Sequence, residues 1–383
     1  MNITKNIIYV GVNDREIDLF EGQYKVPDGM TYNSYIIVDE KIAVVDSVDQ
    51  NFGDAWLSNI HYELGQKSPD YLIVQHMEPD HSANIMKFAE KYPDATIVAS
   101  VKAFPMMKNF FGTDFADRRL IVGEGESLSL GEHNLTFLTA PMVHWPEVIV
   151  TYDEKEKLLF SADAFGTFGS FEHGDNWADE ARRYYIGIVG KYGIQVQALL
   201  DRAKKLEIEK ILPLHGPVLC DNLSYYLGLY DTWSKYIPEE KGVLIAYTSI
   251  YGNTKKAALM LAEKLKAEGE KVTIYDLARD DFFAAIGDAF RFDRIVLATT
   301  TYNGDMFPDM RKFIFGLIER GFKNRKIAFI ENGSWGPVAA KKMKAMLENI
   351  DSITFSENNV KILSAMNSDV ISQIENLKNE LLK

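Results

Sequence analysis

The feature that most constrains the fold is a regular alternation of strand-like and helix-like segments beyond about residue 240. Short apolar runs bounded by turn residues indicate strands, and apolar residues spaced three or four apart indicate amphipathic helices. This order is typical of one doubly wound parallel sheet, in which ligands bind outside the carboxyl ends of the strands. The predicted strands are Val243 to Thr248, Val272 to Asp276, Arg294 to Thr299, Lys326 to Ile330 and Val360 to Ile362. The predicted helices are Lys255 to Glu268, Met310 to Arg320, Val338 to Glu348 and a terminal helix with Val370, Ile374, Leu377 and Leu381 on one face.

The first half has shorter strands, many turns and scattered His and Asp residues. Strands in two runs with helices between them predict a sheet-on-sheet sandwich flanked by helices, in the layer order αββα, while a single parallel sheet is the less favoured alternative. Pro, Gly and charged residues in Tyr236 to Gly242 predict a linker, and hence domains at residues 1–240 and 241–383. The predicted strands are Asn6 to Val10, Tyr35 to Val38, Ile42 to Val48, Tyr71 to Gln75, Thr96 to Ala99, Leu135 to Thr139, Val148 to Tyr152, Leu158 to Ser161 and Lys210 to Leu214, with helices at Ser82 to Lys91 and Ile194 to Leu206.

Composition excludes several classes of protein. The 383 residues are 46% apolar, enough for two sizeable cores, and the net charge of −13 argues against binding of nucleic acid. No apolar run approaches the roughly 20 residues of a membrane helix and no secretory leader is visible, so we expect a cytoplasmic protein without membrane contact. The single cysteine, Cys220, can build neither an internal disulfide nor a four-thiolate iron site.

A dense group of possible metal ligands follows the apolar run Tyr71 to Val74. The sequence there is His76-Met77-Glu78-Pro79-Asp80-His81. Two-metal hydrolases carry the pattern H-x-H-x-D-H and hold zinc through imidazole, whereas Glu78 supplies a hard anionic oxygen that suits iron or manganese. The motif therefore favours redox chemistry over hydrolysis.

Three further candidate ligands, His144, Asp163 and His215, lie at or near the ends of apolar segments. Side chains at the ends of strands can converge at one end of a sandwich. A lone histidine at such a place is more often a hydrogen-bonded structural residue than a ligand, and only the joint pattern of four His and three carboxylates predicts a two-metal site. His61, His133 and His173 match no position of the pattern and are interpreted as surface or core residues.

The second half contains a predicted cofactor site built from three loops that follow strands. The first loop leads into a helix, and its hydroxyls, amides and one glycine are typical of a cradle for a single phosphate. It lacks both the P-loop pattern and the dinucleotide pattern G-x-G-x-x-G. The other two loops offer an aromatic ring each, which could enclose a flavin ring. The candidate residues are Thr248, Ser249, Ile250, Tyr251, Gly252, Asn253 and Thr254, then Thr300, Thr301, Tyr302, Asn303 and Gly304, and finally Asn332, Gly333, Ser334, Trp335 and Gly336.

Taken together, these motifs resemble the flavodiiron proteins, also called A-type flavoproteins. The spacing H-x-E-x-D-H, 62 residues, His144, 18 residues, Asp163, 51 residues and His215 carries the resemblance. The first flavin loop resembles the FMN phosphate loop S-x-T-G-N-T, with Tyr251 in place of a small hydroxyl residue. The resemblance implies a metallo-β-lactamase-like domain joined to a flavodoxin-like domain. It also implies FMN and two iron ions, one held by His76, Glu78 and His144, the other by Asp80, His81 and His215, with Asp163 as the bridge.

The resemblance further implies an enzyme that reduces O₂ and/or NO, and the sequence leaves the choice between the two gases open. The implied electron donor is a separate small redox protein such as a rubredoxin, and the implied assembly is a head-to-tail homodimer or a dimer of such dimers. Two other functions stay open at this point. One is a zinc-dependent hydrolase of a thioester or phosphoester with a fused flavodoxin module, and the other is an electron carrier with a structural metal site.

Overall fold

A computed structural model of the chain describes residues 1–170 and 177–383. It consists of two compact units, Met1–Asp231 and Thr232–Lys383. This division lies nine residues before the boundary predicted from the linker composition, and that boundary stays a prediction. Within the described ranges, no helix combines the length and the apolar character that crossing a bilayer would need.

The N-terminal unit contains two main sheets, a few short hairpin strands and seven helices among its described residues. Its strands are β1 (Ile7–Tyr9), β2 (Val12–Asp14), β3 (Leu19–Phe20), β4 (Tyr24–Lys25), β5 (Met30–Tyr32), β6 (Tyr35–Val38), β7 (Ile42–Val45), β8 (Tyr71–Val74), β9 (Thr96–Ala99), β10 (Arg119–Ile121), β11 (Ser127–Ser129), β12 (Asn134–Thr139), β13 (Ile149–Asp153), β14 (Leu158–Phe160) and β15 (Lys210–Leu212). Its helices are α1 (Gly53–Leu64), α2 (Pro79–Ser82), α3 (Ile85–Lys91), α4 (Ala103–Phe111), α5 (Trp177–Tyr184), α6 (Gly193–Ala203) and α7 (Leu223–Ser234). Short turns of 3₁₀-helix lie at Gln50–Phe52 and Gly190–Tyr192, and a π-helical turn lies at Tyr185–Val189.

The two main sheets pack face to face. The first has the order β1-β6-β7-β8-β9-β10, with parallel pairing from β7 to β10, and the second has the order β11-β12-β13-β14-β15. One apolar cluster joins them, with Ile37 and Ile73 from the first sheet and Phe137 and Phe160 from the second, all fully buried. The members of this cluster come from strands and loops and none from a helix, so no helix separates the sheets. This confirms the predicted sandwich over the single parallel sheet.

The ligand-rich segment after β8 folds into a short helix instead of continuing as a strand. Pro79 occupies the first position of α2, where its missing N–H costs nothing. Asp80 and His81 therefore project from a helical turn, while His76 and Glu78 lie on the extended segment before it. The helix predicted at Ser82 to Lys91 is divided into α2 and α3, because Asn84 adopts a non-helical conformation between them.

The C-terminal unit is one mainly parallel sheet with helices, as predicted. Its strands are β16 (Glu240–Tyr247), β17 (Val272–Asp276), β18 (Phe292–Tyr302), β19 (Asp305–Met306), β20 (Lys326–Asn332), β21 (Thr354–Phe355) and β22 (Val360–Ile362). Its helices are α8 (Asn253–Ala267), α9 (Phe282–Arg291), α10 (Pro308–Glu319), α11 (Ala339–Leu347) and α12 (Ser368–Leu381). The order β17-β16-β18-β20-β21 reverses between β16 and β18, with β22 beside β20 and β19 antiparallel to β18. Such a reversal opens a crevice at the carboxyl ends of the strands.

Several elements were not predicted. In the C-terminal unit these include α9 and the two-residue strands β19 and β21. Helix α9 buries six consecutive residues, Ala285 to Phe290, and runs directly into β18 at Phe292, so no turn residue in the sequence marks its end. The predicted face of α12 is confirmed, since Val370, Ile374, Leu377 and Leu381 are all buried.

Candidate metal centre and cofactor cavity

The seven predicted metal ligands meet in the N-terminal unit, although 139 positions separate the first from the last. Each follows a strand of one of the two main sheets. His76 and Glu78 follow β8, as do Asp80 and His81 on α2, while His144 follows β12, Asp163 follows β14 and His215 follows β15. The strand ends therefore bring together side chains that are remote in the sequence.

Three of the ligands form a first group around Glu78. The Oε2 atom of Glu78 lies 3.2 Å from Nε2 of His76 and 2.9 Å from Nε2 of His144. The same two nitrogens lie 3.2 Å from Oδ2 of Asp163. We call His76, Glu78 and His144 the His76 group.

Three other ligands form a second group around Asp80. Its Oδ2 atom lies 3.3 Å from Nε2 of His81 and 3.2 Å from Nε2 of His215, and the two imidazole nitrogens are 2.9 Å apart. They lie 3.5 and 3.7 Å from Oδ1 of Asp163. We call Asp80, His81 and His215 the His215 group. Asp163 thus faces one group with each of its oxygens.

This arrangement fits a pair of metal ions. Ligand atoms that share a cation at roughly 2.1 Å lie about 3 Å from one another, which is the spacing within each group. The carboxylate oxygens of Asp80 and Asp163 are buried and accept no hydrogen bond from the described residues. Buried carboxylate oxygens without donors are costly unless a cation meets them, so the donor set is suited to two cations with Asp163 between them.

The electrostatics of the cluster favour the ionised forms of Asp163 and Glu78. Burial raises the pKa of Asp163, but the imidazoles of His76, His144 and His81 hold it well below its usual value. Burial likewise opposes ionisation of Glu78, whose pKa is nevertheless lowered to about 2 by hydrogen bonds with His144 and His76. Although burial opposes this, the neighbouring carboxylates in turn raise the pKa values of His76, His144 and His81. Metal binding requires neutral imidazoles, so it would release protons from these rings.

Aromatic rings enclose much of the cluster. The ring of His215 lies 5.4 Å from Phe20, 5.8 Å from Tyr32 and 5.5 Å from Tyr184, measured between centroids. Trp145 lies 5.3 Å from the ring of His76. Glu78 has the most exposed side chain of the seven, at 17%, followed by Asp80 at 11% and His144 at 9%, so the cluster opens toward solvent on the side of these three residues.

The loops of the C-terminal unit form a cavity of about 590 Å³ at the carboxyl ends of its strands. Its lining includes every predicted cofactor residue except Thr248 and Gly252. Thr248 is fully buried and its hydroxyl is 2.6 Å from that of Thr299. Gly252 has a φ of 88° and forms the N-cap of α8, which no side chain caps. Ser364, after β22, lines the cavity but was not predicted.

The cavity fits a flavin mononucleotide. The uncapped N-terminus of α8 offers backbone N–H groups to an anion. The hydroxyls of Thr254 and Thr300 are buried and find no hydrogen-bond partner among the described residues. Two aromatic side chains of the lining, Tyr251 and Trp335, are 90% and 96% exposed, so their rings are available to stack on a planar ligand.

Sequence reasoning missed one buried carboxylate beside the metal cluster, Glu147. Glu147 lies three positions after His144, but nothing in the run His144-Trp145-Pro146-Glu147 indicates a contact with His76. Of the histidines outside the pattern, His61 is exposed, and His133 is buried in a 2.8 Å contact with Asp153. His173 lies outside the described residues.

Family models match both halves of the chain. A model described as the ODP family of beta lactamases matches residues 30–216. A flavodoxin-domain model matches residues 244–357. The two matches cover the unit with the metal-ligand cluster and the unit with the cofactor cavity.

Relatives with known names align along most of the chain. A protein from Moorella thermoacetica named nitric oxide reductase is 32% identical over 358 residues, which are 90% of this chain and 89% of that protein. A protein from Salmonella typhi named anaerobic nitric oxide reductase flavorubredoxin is 27% identical, over 91% of this chain and 75% of that protein.

Solved structures agree in fold. Rubredoxin oxygen:oxidoreductase from Desulfovibrio gigas superposes with a TM-score of 0.92 at 24% identity, covering 100% of this chain and 97% of that one. The flavodiiron protein from Giardia intestinalis superposes with a TM-score of 0.87 at 25% identity, covering 99% and 96%.

Proposed function

This chain belongs to the flavodiiron proteins, and from that premise we propose that it is an oxidoreductase that reduces O₂ and/or NO with FMN and two non-haem iron ions. The observation that carries the proposal is the pairing of two sites in one chain. One is a cluster of seven ligand side chains that share Asp163, and the other is a cavity suited to FMN. A hydrolase has no use for the second site, and an electron carrier has no use for the first.

We assign the iron ions to the two ligand groups. The His76 group would hold one ion and the His215 group the other, with one oxygen of Asp163 directed at each. Glu78 favours iron over zinc because it is a hard anionic ligand in a position where zinc hydrolases carry histidine. When bound, two ferrous ions and reduced FMN together store four electrons, the number that reduction of O₂ to two waters consumes, whereas two NO molecules need only two electrons to give N₂O and water.

The residues around the cluster would determine what reaches it. Phe20, Tyr32 and Tyr184 surround His215 with rings and leave little room for water on that side. Glu78 and His144 lie at the more exposed side, where a small diatomic molecule can enter. Apolar walls admit an uncharged gas without the desolvation cost that an ion or a polar ester would meet. This supports a gas as substrate over a thioester or phosphoester.

The electron donor is proposed to be a separate small redox protein such as a rubredoxin. The chain's one cysteine cannot build the four-thiolate iron site that such a donor carries. The C-terminal unit, with 22 Lys and Arg against 20 Asp and Glu, is less acidic than the N-terminal unit, and we propose that the donor binds there. The N-terminal unit has 20 Lys and Arg against 35 Asp and Glu and would repel an acidic protein.

We also propose a head-to-tail homodimer, in which the FMN of one chain serves the irons of the other. The distribution of charge supports contact between unlike units. Two N-terminal units would bring two strongly acidic surfaces together, whereas an N-terminal unit against a nearly neutral C-terminal unit avoids that repulsion. A closed twofold arrangement is the commonest form of soluble oligomer.

Anaerobic electron counting tests the main proposal. The chain is loaded with iron and FMN, fully reduced, and mixed separately with O₂ and with NO while the oxidised flavin and the remaining gas are measured. We expect rapid consumption of at least one gas, with water or N₂O as the product. Absence of consumption of both gases by a fully loaded protein would refute the proposal, and hydrolysis of a thioester by the zinc-loaded chain would favour the hydrolase.

Mixing two inactive variants tests the dimer. One variant lacks the shared carboxylate (Asp163→Asn), and the other has a disabled flavin cavity (Thr254→Val combined with Trp335→Ala). A mixed head-to-tail dimer contains one intact pair of sites, so we expect activity to return after the subunits are exchanged. Activity that never exceeds the sum of the two separate variants would exclude transfer between chains.

A further inference from the structure

One histidine of the cluster is fixed from behind by a buried carboxylate. Nδ1 of His76 lies 2.9 Å from Oε1 of Glu147, and both side chains are fully buried. The same oxygen lies 2.8 Å from the backbone nitrogen of Met77. Glu147 is therefore in contact with a proposed ligand on the side of the ring that faces away from the cluster.

This geometry determines which nitrogen of His76 carries the hydrogen. The backbone N–H of Met77 can only donate, so Oε1 of Glu147 must accept. An accepting oxygen leaves Nδ1 of His76 as the second donor, because the ring nitrogen must then supply the hydrogen between them. Nε2 is consequently the nitrogen that would bind a metal ion, on the side of Glu78 and Asp163.

The two histidines of the His215 group lack a carboxylate of this kind. Nδ1 of His215 lies 2.6 Å from the backbone carbonyl oxygen of Thr31, a neutral acceptor. Nδ1 of His81 has no hydrogen-bond partner within the described part of the chain. A nearby buried carboxyl, Asp46, accepts from the backbone and side chain of Gln75 instead of from an imidazole ring. Among the rings of His76, His81 and His215, that of His76 is therefore the one whose Nδ1 faces a buried carboxylate.

The backbone of Glu147 is itself fixed. The hydroxyl of Ser100, which follows β9, donates to the carbonyl oxygen of Glu147 at 2.7 Å. The N–H of Ile149 donates to the carbonyl oxygen of Gln75 at 3.1 Å. The loop between β12 and β13 is thus attached to the end of β8, and it supplies both His144 and the carboxylate that orients His76.

We propose that Glu147 is a positioning residue that fixes the tautomer and orientation of His76, and that it thereby sets the affinity and the redox potential of the iron ion held by the His76 group. A carboxylate behind a metal-bound imidazole makes the ring a stronger electron donor than a carbonyl does. The two iron ions should then differ, with the ion of the His76 group held more tightly and stabilised in its ferric state. This inference rests on the proposed metal site.

Substitution of Glu147 by Gln and by Ala tests the inference. Glu147→Gln keeps an acceptor oxygen but removes the charge, whereas Glu147→Ala removes both. Loss of an outer partner of a metal ligand weakens metal binding by about 10- to 100-fold, so we expect Glu147→Ala to weaken one of two iron-binding steps by that factor and Glu147→Gln to fall between it and the unchanged protein. The measurements are competition with an iron chelator and Mössbauer spectra of the ⁵⁷Fe-loaded reduced protein.

The chain offers a matched control in the pair His133 and Asp153. It too is a buried imidazole and a buried carboxylate, 2.8 Å apart, in the same unit and outside the metal cluster. Asp153→Asn should therefore lower the melting temperature without changing either iron-binding step. We expect a change in only one of the two Mössbauer doublets for Glu147→Gln, and no change in either for Asp153→Asn.

The other outcomes separate the inference from the function on which it rests. Unchanged affinity and spectra in both Glu147 variants would overturn the inference. Equal loss of both iron ions, in proportion to a fall in melting temperature that Asp153→Asn reproduces, would reduce Glu147 to a structural residue and overturn it as well. Failure of the unchanged protein to bind two iron ions would overturn the proposed metal site, and the inference with it.

Discussion

The two sites of this chain are constructed in opposite ways. In the N-terminal unit, seven side chains from the four segments that follow β8, β12, β14 and β15 converge in a buried cluster, in which carboxylates and imidazoles would bind the metal ions. In the C-terminal unit, the cavity is open, and its lining consists of backbone groups, hydroxyls and the exposed rings of Tyr251 and Trp335. One site depends on the identity of its side chains and the other on its place at the ends of parallel strands.

This difference predicts how strongly a substitution should affect binding at each site. A buried charge has no solvent to replace a lost partner, so a change of one atom has a large cost. A loop site that binds its ligand through several backbone N–H groups keeps most of its binding free energy when any one side chain is removed. Substitutions in the metal-ligand cluster should therefore have larger effects than substitutions in the cofactor cavity.

Removal of the shared carboxylate should have the largest effect. Asp163 is the one ligand that faces both groups, so Asp163→Asn should weaken binding of both iron ions by more than the roughly 100-fold that loss of an outer partner costs. Gas reduction should fall with the iron content, and the FMN content should stay that of the unchanged protein. Iron and FMN per chain, measured after desalting, check this prediction. Two tightly bound iron ions in this variant would contradict the assignment of Asp163 as the bridge.

The next largest effect is expected for removal of the Thr254 hydroxyl, which should weaken the binding of FMN without destabilising the cofactor-free protein. Because that hydroxyl is buried without a partner in the described chain, Thr254→Val removes a polar group that costs free energy in the cofactor-free protein. We expect the cofactor-free variant to be as stable as the unchanged protein or slightly more stable. FMN should bind about 10-fold or more weakly, because a hydrogen bond to a charged group contributes roughly 1.5 to 3 kcal/mol. Titration with FMN and urea unfolding without FMN measure the two effects.

Thr248 provides the comparison for Thr254, because its hydroxyl is paired with that of Thr299. Thr248→Val leaves a buried hydroxyl without its partner, which costs about 1 to 3 kcal/mol of stability. The loss should appear in urea unfolding of the cofactor-free protein, in contrast to Thr254→Val. If the two variants changed the FMN affinity and the free energy of unfolding in the same way, the division between cavity-facing and core-facing threonines would be wrong.

The exposed ring of Trp335 should have a smaller effect. Stacking of an aromatic pair contributes roughly 0.5 to 1.5 kcal/mol beyond the buried area, so Trp335→Ala should weaken FMN binding by about 3- to 10-fold. Trp335→Phe keeps a ring and should recover most of the affinity. Because the side chain is 96% exposed, neither variant should change the stability of the cofactor-free protein. Equal FMN affinity in Trp335→Ala and the unchanged protein would show that this ring does not contact the flavin.

The difference between the sites also explains what could be predicted from the sequence. His76, Glu78 and Asp80 were recognisable because few roles other than metal binding require such residues in one short run. Glu147 was not recognisable, because its role depends on a contact with His76 that only the fold creates. Ser364 was missed because it lines the cavity through the place of its loop after β22. Thr248 and Thr254 belong to one loop and look alike, yet the backbone directs one to the core and the other to the cavity.

Fold prediction failed for a related reason. Periodicity identified α12, whose apolar residues occupy one face, but not α9, whose residues Ala285 to Phe290 are all buried. Helix α9 also passes into β18 at Phe292 with no turn residue between them, so the sequence shows no boundary there. The ligand segment after β8 was hard to place because Pro79 ends an extended segment and also begins a helix.

The smallest effect is expected at Glu380, a half-buried carboxylate with several partners in the C-terminal unit. It accepts hydrogen bonds from the backbone N–H of Asn358 at 2.8 Å and of Glu357 at 3.1 Å, and Lys326 lies 3.0 Å away. Although partial burial opposes it, these partners and Ser356 hold the pKa of Glu380 below its usual value. A carboxyl group with a lowered pKa in the folded state stabilises the protein above its unfolded pKa of about 4.3, and that contribution is lost as the pH falls through the folded pKa.

Glu380→Gln should therefore lower the free energy of unfolding at pH 7 by about 1 kcal/mol, because solvent reaches Lys326 and partly screens its ion pair with Glu380. The difference between the variant and the unchanged protein should begin to shrink as the pH falls below about 4, where the unfolded chain already binds a proton at this position. Urea unfolding of both proteins at pH 7 and at successively lower pH measures it. A loss of several kcal/mol at pH 7 would break the comparison, because it would mean that a carboxylate near the surface contributes as much as a buried one. A small loss of unfolding free energy that disappears at low pH would support burial as the reason why substitutions of Asp163 and Glu147 have large effects.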